Sequence, residues 1–485
     1  SSGMQDLSGV ENMRPLTLGL VYHFNQNTVP SALVADRVCY HPLIEAFLSH
    51  PKCKFTIHFS GTLLSALQWY SPKTIELLKV GIDRGQFEIL GSSFSQNILL
   101  ATDEWDNIQQ LRQHRQQLKD MGYADWFDYA SHAAKNIETR EVYYQVSRRL
   151  QDQERRLTER SQETPGYAAG RRLYDLAVRT LVAHQYEFGC TGLEFDKEAA
   201  WQLARSALAV LWASQAALGE HQDPLVKKED VNGDGVDEIA VICDTSAYLF
   251  SPKGGRLLYW FDLRDGLQLV GNQNALCYFE LYRDDHSYVP DFYGEKDVFS
   301  ELKGRPEIAD RAEQLYVMRR RCLNDAISFD DMRMAGLHDL VFDVDVVAGQ
   351  QRPILQFRHN GRLFSLQKTV TCLPDGIEVE YTIDWHLDAR KLRLLVENEI
   401  TPDYLSVLDT GKQWVEVQTD GCNATVVNKA RACAVTVTPL GPPGSSVVSH
   451  VEPGFLAWLC STEVTVDLAA RAQQSARVGL SLRLS

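Results

Sequence analysis

Gly85-Gln86-Phe87-Glu88-Ile89-Leu90-Gly91 reads as a short strand held between two glycines. Gly85 lets the chain turn in, Gly91 lets backbone approach a ligand, and Glu88 stands within the strand or at its end. Upstream, Leu16–Tyr22 is an apolar run of the kind a buried parallel strand makes, and it gives way to Tyr22-His23-Phe24-Asn25-Gln26. Between these pieces, Pro42–Leu48, Thr62–Tyr70 and Pro72–Arg84 have helical spacing, and Lys54–Phe59 is rich in β-formers. Trp105–Met121 follows as a polar amphipathic helix. Strand and helix alternate, with polar groups just past the strand ends, which is how α/β barrels set out their active sites.

Beyond Met121 the pattern changes. Ile137–Arg160, Gly170–Phe188 and Lys197–Leu218 are helical, and Thr164-Pro165-Gly166 is a turn between the first two. From about residue 222 the chain turns to β. Glu238–Cys243, Leu257–Phe261, Ile354–Phe357, Leu363–Leu373, Ile377–Trp385, Lys391–Ile400, Trp414–Gln418 and Val447–His450 read as strands, with Pro374-Asp375-Gly376 as a turn. The expected organisation is α/β plus all-β: a barrel portion over residues 15–121, a helical segment over 122–221 and a C-terminal β-sandwich over 222–485.

Composition narrows the function. At 485 residues the chain calls for two or three cores. With 49 basic and 64 acidic residues the net charge is −15, so nucleic acid is not an expected partner. No apolar run is long enough to span a bilayer, and no membrane partner is expected. The ten cysteines make no Cys-x-x-Cys pair and read as free thiols of a reducing, cytoplasmic protein. A neutral ligand such as an oligo- or polysaccharide fits this balance, and the oligomeric state stays open.

Several groups carry candidate chemistry. His23 and Gln26 stand at the end of the first strand, where they either contact sugar hydroxyls or close the strand. Glu88 either orients a sugar or is a satisfied strand-edge carboxylate. Asp125 and Asp128 are candidate catalytic carboxylates, or else a helix N-cap and a first-turn acid. His184 and Glu187 fall on one helix face, lining a cleft or pairing between helices. No second ligand pair matches them, which argues against zinc. In Asp230-Val231-Asn232-Gly233-Asp234-Gly235-Val236-Asp237-Glu238, oxygen ligands alternate at Asp230, Asn232 and Asp234. The Val236 carbonyl and Glu238 complete a possible Ca2+ set. Val241 stands where an EF-hand has its glutamate, so this is either a calcium loop entering a strand or a polar β-turn. Trp260 and Tyr288 either stack on sugars or fill the core.

Taken together, Tyr22–Gln26, Tyr40-His41-Pro42-Leu43, Lys54–Gly61, Gly85–Gly91 and Asn97-Ile98-Leu99-Leu100 resemble, in order and spacing, the motifs of glycoside hydrolase family 57. That family includes 4-α-glucanotransferases and α-amylases. The segment from Asp230 through Pro252-Lys253-Gly254-Gly255 to Tyr282–Tyr288, and Arg320–Asp325, is similar to its C-terminal domain. The resemblance implies a (β/α)7-type barrel, incomplete here, a helical region and a β-sandwich. It also implies retaining double displacement on α-glucans with no organic cofactor, and His23 and Glu88 lining the sugar subsite beside the cleaved bond. Two departures stand out. The family's His-x-His-Gln-Pro is His23-Phe24-Asn25-Gln26-Asn27 here. The Trp-rich stretch bearing the glutamate nucleophile does not follow Met121. An inactive carbohydrate-binding relative is therefore the alternative.

Overall fold

The computed structural model describes residues 21–24, 29–95, 97, 102–120, 137–183, 185, 194–221, 225–233, 235–271, 322–338, 340–347, 352–453, 457–468 and 474–485. Gln26, Asp125, Asp128, His184, Glu187, Asp234 and Tyr288 lie outside them.

The N-terminal part is a three-stranded parallel sheet in the order β1 (Val21–Phe24), β2 (Phe55–Phe59), β3 (Phe87–Leu90). Helix α1 (Val29–Ala35) runs through a π-helical turn (Asp36–Tyr40) into α2 (His41–Leu48); the sequence reading recognised only the last of these. The turn is pinned from inside. Thr74 Oγ1 donates to the buried Asp36 carboxylate at 2.9 Å, and His41 Nδ1 lies 2.8 Å from the same hydroxyl. Ser60 caps α3 (Gly61–Tyr70) by accepting the Leu63 N–H at 3.2 Å, the kind of bond an N-terminal serine supplies. Pro72 opens α4 (Pro72–Asp83), where its missing N–H costs nothing. Gly85, at φ +62°, turns the chain into β3. Gln86 then ties that entry down by donating to the carbonyls of Phe47 (2.6 Å) and His50 (3.1 Å). One face of the sheet is apolar and packs on the helices: Phe47 stacks on Phe55 at 4.0 Å, and Phe24 on Tyr40 at 4.4 Å.

The helices α5 (Glu104–Asp120), α6 (Ile137–Glu159), α7 (Tyr167–Ala183) and α8 (Glu194–Ala217) follow. Helix α7 begins before Gly170 and ends at Ala183, a shift from the expected Gly170–Phe188. Tyr167 enters the helix on its N–H bond to the Thr164 carbonyl. Ser214 of α8 donates to the Gly170 carbonyl at 2.7 Å, so α7 and α8 approach closely.

Among the described residues the rest is antiparallel β, apart from α9 (Tyr404–Thr410). A five-stranded meander comprises β4 (Leu225–Glu229), β5 (Glu238–Cys243), β6 (Ser246–Ser251), β7 (Arg256–Asp262) and β8 (Leu267–Val270). The following strands are β9 (Cys322–Phe329), β10 (Ala335–Gly336), β11 (Asp343–Val347), β12 (Ile354–Asn360), β13 (Phe364–Leu373), β14 (Gly376–Trp385) and β15 (Lys391–Ile400). After α9 come β16 (Val415–Asp420), β17 (Asn423–Asn428), β18 (Cys433–Leu440), β19 (Ser446–Pro453), β20 (Trp458–Asp467) and β21 (Ser475–Leu484). They form sheets ordered β10-β9-β15-β20-β19 and β11-β12-β13-β14-β21-β18-β17-β16. The expected turn at Pro374-Asp375-Gly376 joins β13 to β14, with Leu373 opposite Gly376.

Strand β5 is buried at every position, as a strand covered on both faces must be. On one side of the meander Arg172 of α7 donates to the Gly266 carbonyl at 2.9 Å. On the other, the Tyr248 hydroxyl lies between the carbonyls of Leu373 (2.6 Å) and Gly376 (2.7 Å), with one proton to donate. Trp260 is fully buried in this meander and stacks toward Tyr248, so it is a core residue and not a sugar platform. Deeper in, Lys368 and Asp325 form a fully buried ion pair. Tyr381 donates to Asp325 at 2.9 Å and Lys368 to the Gly255 carbonyl at 2.9 Å, so the pair keeps the hydrogen bonds that a buried charge needs.

Candidate functional site

Strand register decides which side chains share a face. His23 pairs with His58, and Thr56 pairs with both Val21 and Glu88. Because side chains alternate along a strand, Val21, Thr56 and Glu88 form one row, and His23, His58 and Leu90 the next row of the same face. Tyr22, Phe24, Ile57, Phe59, Phe87 and Ile89 point the other way, toward the helices. The two residues that sequence reasoning placed in one sugar subsite thus occupy one face of one sheet. Both are exposed there.

The face is polar. Glu88 accepts from Thr56 Oγ1 at 3.4 Å, too long to hold the carboxylate firmly. His23 stacks on His58, with ring centroids 4.5 Å apart and planes 13° from parallel. His58 itself is 3% exposed, and neither ring nitrogen has a hydrogen-bond partner. Burial first, then the neighbouring His23 and His114, pushes its pKa down to about 3, so it is neutral at physiological pH. His114, on α5, is buried and likewise pushed down by burial, to about 4. Its Nδ1 lies against the Ser92 main chain, 2.7 Å from the carbonyl and 2.9 Å from the amide.

The loop leaving β3 continues this polar character. Ser95 donates its N–H to Gln110 at 3.0 Å, and Gln110 donates to the Val182 carbonyl (2.7 Å) and to Gln185 (3.1 Å). Next to it on α5, Asp106 is 1% exposed. Burial, then the charge of Asp103, raises its carboxyl to about 7, where an acid can both give and take protons. Sequence reasoning missed Asp106, because Asp103-Glu104-Trp105-Asp106 has the spacing of a helix cap. The cap is real: Asp103 accepts the Asp106 N–H at 2.9 Å.

Loop 230–238 closes on its own groups. Asp230 accepts the Gly233 N–H at 2.8 Å and the Gly235 N–H at 2.9 Å, one on each carboxylate oxygen. Glu238 accepts the Val231 N–H at 3.0 Å and the Asn232 amide at 2.8 Å. Asp230, Asn232 and Glu238 are oxygen donors of the kind Ca2+ takes. The Val236 residue is exposed beside them. Among the described residues no group of three or more His, Cys, Asp or Glu is gathered to hold a metal. No helix there is long and apolar enough to cross a membrane.

Residues 12–124 match the family model for Glycosyl hydrolase family 57. An α-amylase of Pyrococcus furiosus is 35% identical over 116 residues, which is 24% of this chain and 16% of that protein. A 4-α-glucanotransferase of Thermococcus kodakarensis is 30% identical over 84 residues, 17% of this chain and 13% of that relative. The chain thus spans a small part of the length of the curated relatives it matches. The solved 4-α-glucanotransferase of Thermococcus litoralis aligns over 96% of this chain and 98% of its own, at 10% identity and a TM-score of 0.37.

Proposed function

Residues 12–124 belong to glycosyl hydrolase family 57, and on that premise we propose that the chain acts on α-glucans as a retaining glycosidase or 4-α-glucanotransferase. The observation that carries this reading is the common, exposed face of His23 and Glu88 at the heart of the matched region. A histidine and a carboxylate there hold sugar hydroxyls from two adjacent rows, accepting and donating as each hydroxyl requires. In double displacement one carboxylate attacks the anomeric carbon while a carboxylic acid protonates the leaving oxygen. Water or a sugar hydroxyl then takes the glycosyl group. This needs two carboxyls about 5–5.5 Å apart, and Asp125 and Asp128 are the candidates carried from the sequence.

A second reading, carbohydrate binding without turnover, is favoured by one fact. The described positions of the β1–β3 face hold a single carboxylate, Glu88. Incubating the chain with maltoheptaose and separating products by length tests both. New chain lengths that vanish in Glu88→Gln support the enzyme; binding with no new lengths supports the binding protein. Neither binding nor products would end the α-glucan assignment.

The chemistry needs no organic cofactor. Ca2+ is proposed for loop 230–238, held by Asp230, Asn232, Asp234, Glu238 and the Val236 carbonyl, as a structural ion away from His23 and Glu88. Thermal melts in calcium and in EGTA test it, and identical midpoints would leave the loop to its own hydrogen bonds.

A further inference from the structure

Away from the parallel sheet, a cavity of about 310 Å3 opens where α6 and α8 meet the loop after β4. That is at the small end of the range for ligand sites, ~300–1,000 Å3. Its floor is apolar, built by the buried Leu208, Leu211 and Val231.

The wall carries two buried polar atoms with nothing to bond. Trp212 is only 5% exposed, yet its indole N–H has no acceptor. His221 packs beside it, ring centroids 5.7 Å apart, and its Nε2 is also without a partner. The His221 ring bonds the Trp212 carbonyl, and burial favours its neutral form. Nε2 is therefore a bare acceptor next to a bare donor. Unmet groups of this kind cost free energy and mark a place where a ligand or water belongs.

The rim fixes the class of ligand. Arg149, Asp152 and Arg156 line the cavity from α6, and Glu229 and Asp230 line it from the end of β4, so the charges nearly cancel and no strongly charged ligand is favoured. Gln153 and Gln215 add amides that donate and accept, joined to each other only by a long 3.4 Å contact. Mixed donors and acceptors over an apolar floor suit a neutral polyol with an apolar ring face.

We propose that this cavity is a second α-glucan site, taking one or two glucosyl units of a chain at a distance from His23 and Glu88. It rests on the α-glucan reading above. Calorimetric titration of the full chain with maltotriose tests it. Wild type is expected to show two classes of site. Trp212→Phe removes the indole donor, and Arg149→Ala removes an exposed rim donor. Each is expected to weaken one class by about tenfold, the scale of one lost hydrogen bond, while His23→Ala weakens the other. If Trp212→Phe fails to fold, Arg149→Ala and Gln215→Leu decide the matter alone. Unchanged affinities in the cavity variants overturn this proposal and leave the α-glucan reading standing. A wild-type chain that binds no glucan overturns both.

Discussion

His58 lies under His23 with both ring nitrogens unbonded, and that makes it a site of acid sensitivity. Its pKa falls from 6.5 to about 3 on folding. Below pH 6.5 the unfolded chain therefore takes up a proton that the folded chain refuses. The stability is whole above that pH and drains away as pH falls toward 3. Linkage puts the loss between pH 7 and pH 5 at about 2 kcal/mol. His58→Leu is expected to remove it, read as urea midpoints at the two pH values; an equal loss in both proteins would contradict this. His114 acts in the same direction and remains in the variant. Asp106 opposes both, because a carboxyl raised to about 7 favours the folded state at low pH and loses that contribution as pH rises from about 4 to 7. At this scale the sequence was half legible. His23 and Glu88 stood out because glycines and strand ends flank them. His58 and Asp106 did not, because one is a polar residue inside a strand pattern and the other is spaced like a cap.

Strand β3 is set by two glycines that do opposite jobs. A Cβ at Gly81 would fall 2.0 Å from the Phe87 ring, so α4 can lie against β3 only while that position is bare. Gly85 meets nothing within 4 Å, and its requirement is conformational, with φ at +62°. Gly81→Ala is expected to cost roughly 1–3 kcal/mol by overpacking. It should also weaken glucan binding, because Phe87 carries Glu88. Gly85→Ala should cost about 1 kcal/mol with binding unchanged. Chemical denaturation and calorimetry on both variants check the contrast, and matched losses of binding would refute it. Elements with a strong period were readable: α6 spans Ile137–Glu159 against an expected Ile137–Arg160, and β15 spans Lys391–Ile400 as expected. Strands β17 and β18 went unseen because Asn423–Asn428 is bracketed by asparagines and Cys433–Leu440 contains a proline, both of which signal a loop. Only their neighbours in the sheet make them strands.

Across the whole molecule the helices and the β region share one knot. Asp403, fully buried and at φ +64°, takes Arg172 of α7 at 2.6 Å and Arg431 at 3.1 Å. Trp69 of α3 meets Trp458 of β20 edge-on at 5.4 Å, a second join between the N-terminal part and the sheets. Arg172→Met leaves Asp403 with one cation. The expected cost is roughly 2 kcal/mol, below the ~3–5 of a severed buried pair, because Arg431 remains. Calorimetry reads it, and an unchanged midpoint would place the join elsewhere.

The pairing pattern also fixes an order in time. Val21 must find Thr56 and Phe55 must find Phe87, whereas Leu373 closes on Gly376 at once. Long loops close slowly, so the hairpins are expected to zip ahead of the parallel strands. Pulse-labelled hydrogen exchange would catch β13–β14 amides protected while β1–β3 amides still trade protons, and the reverse order would refute it. A ribosome makes β1–β3 before the hairpins, yet they are expected to mature after them. In that interval the apolar sides of Phe55 and Phe87 lie open to chaperones.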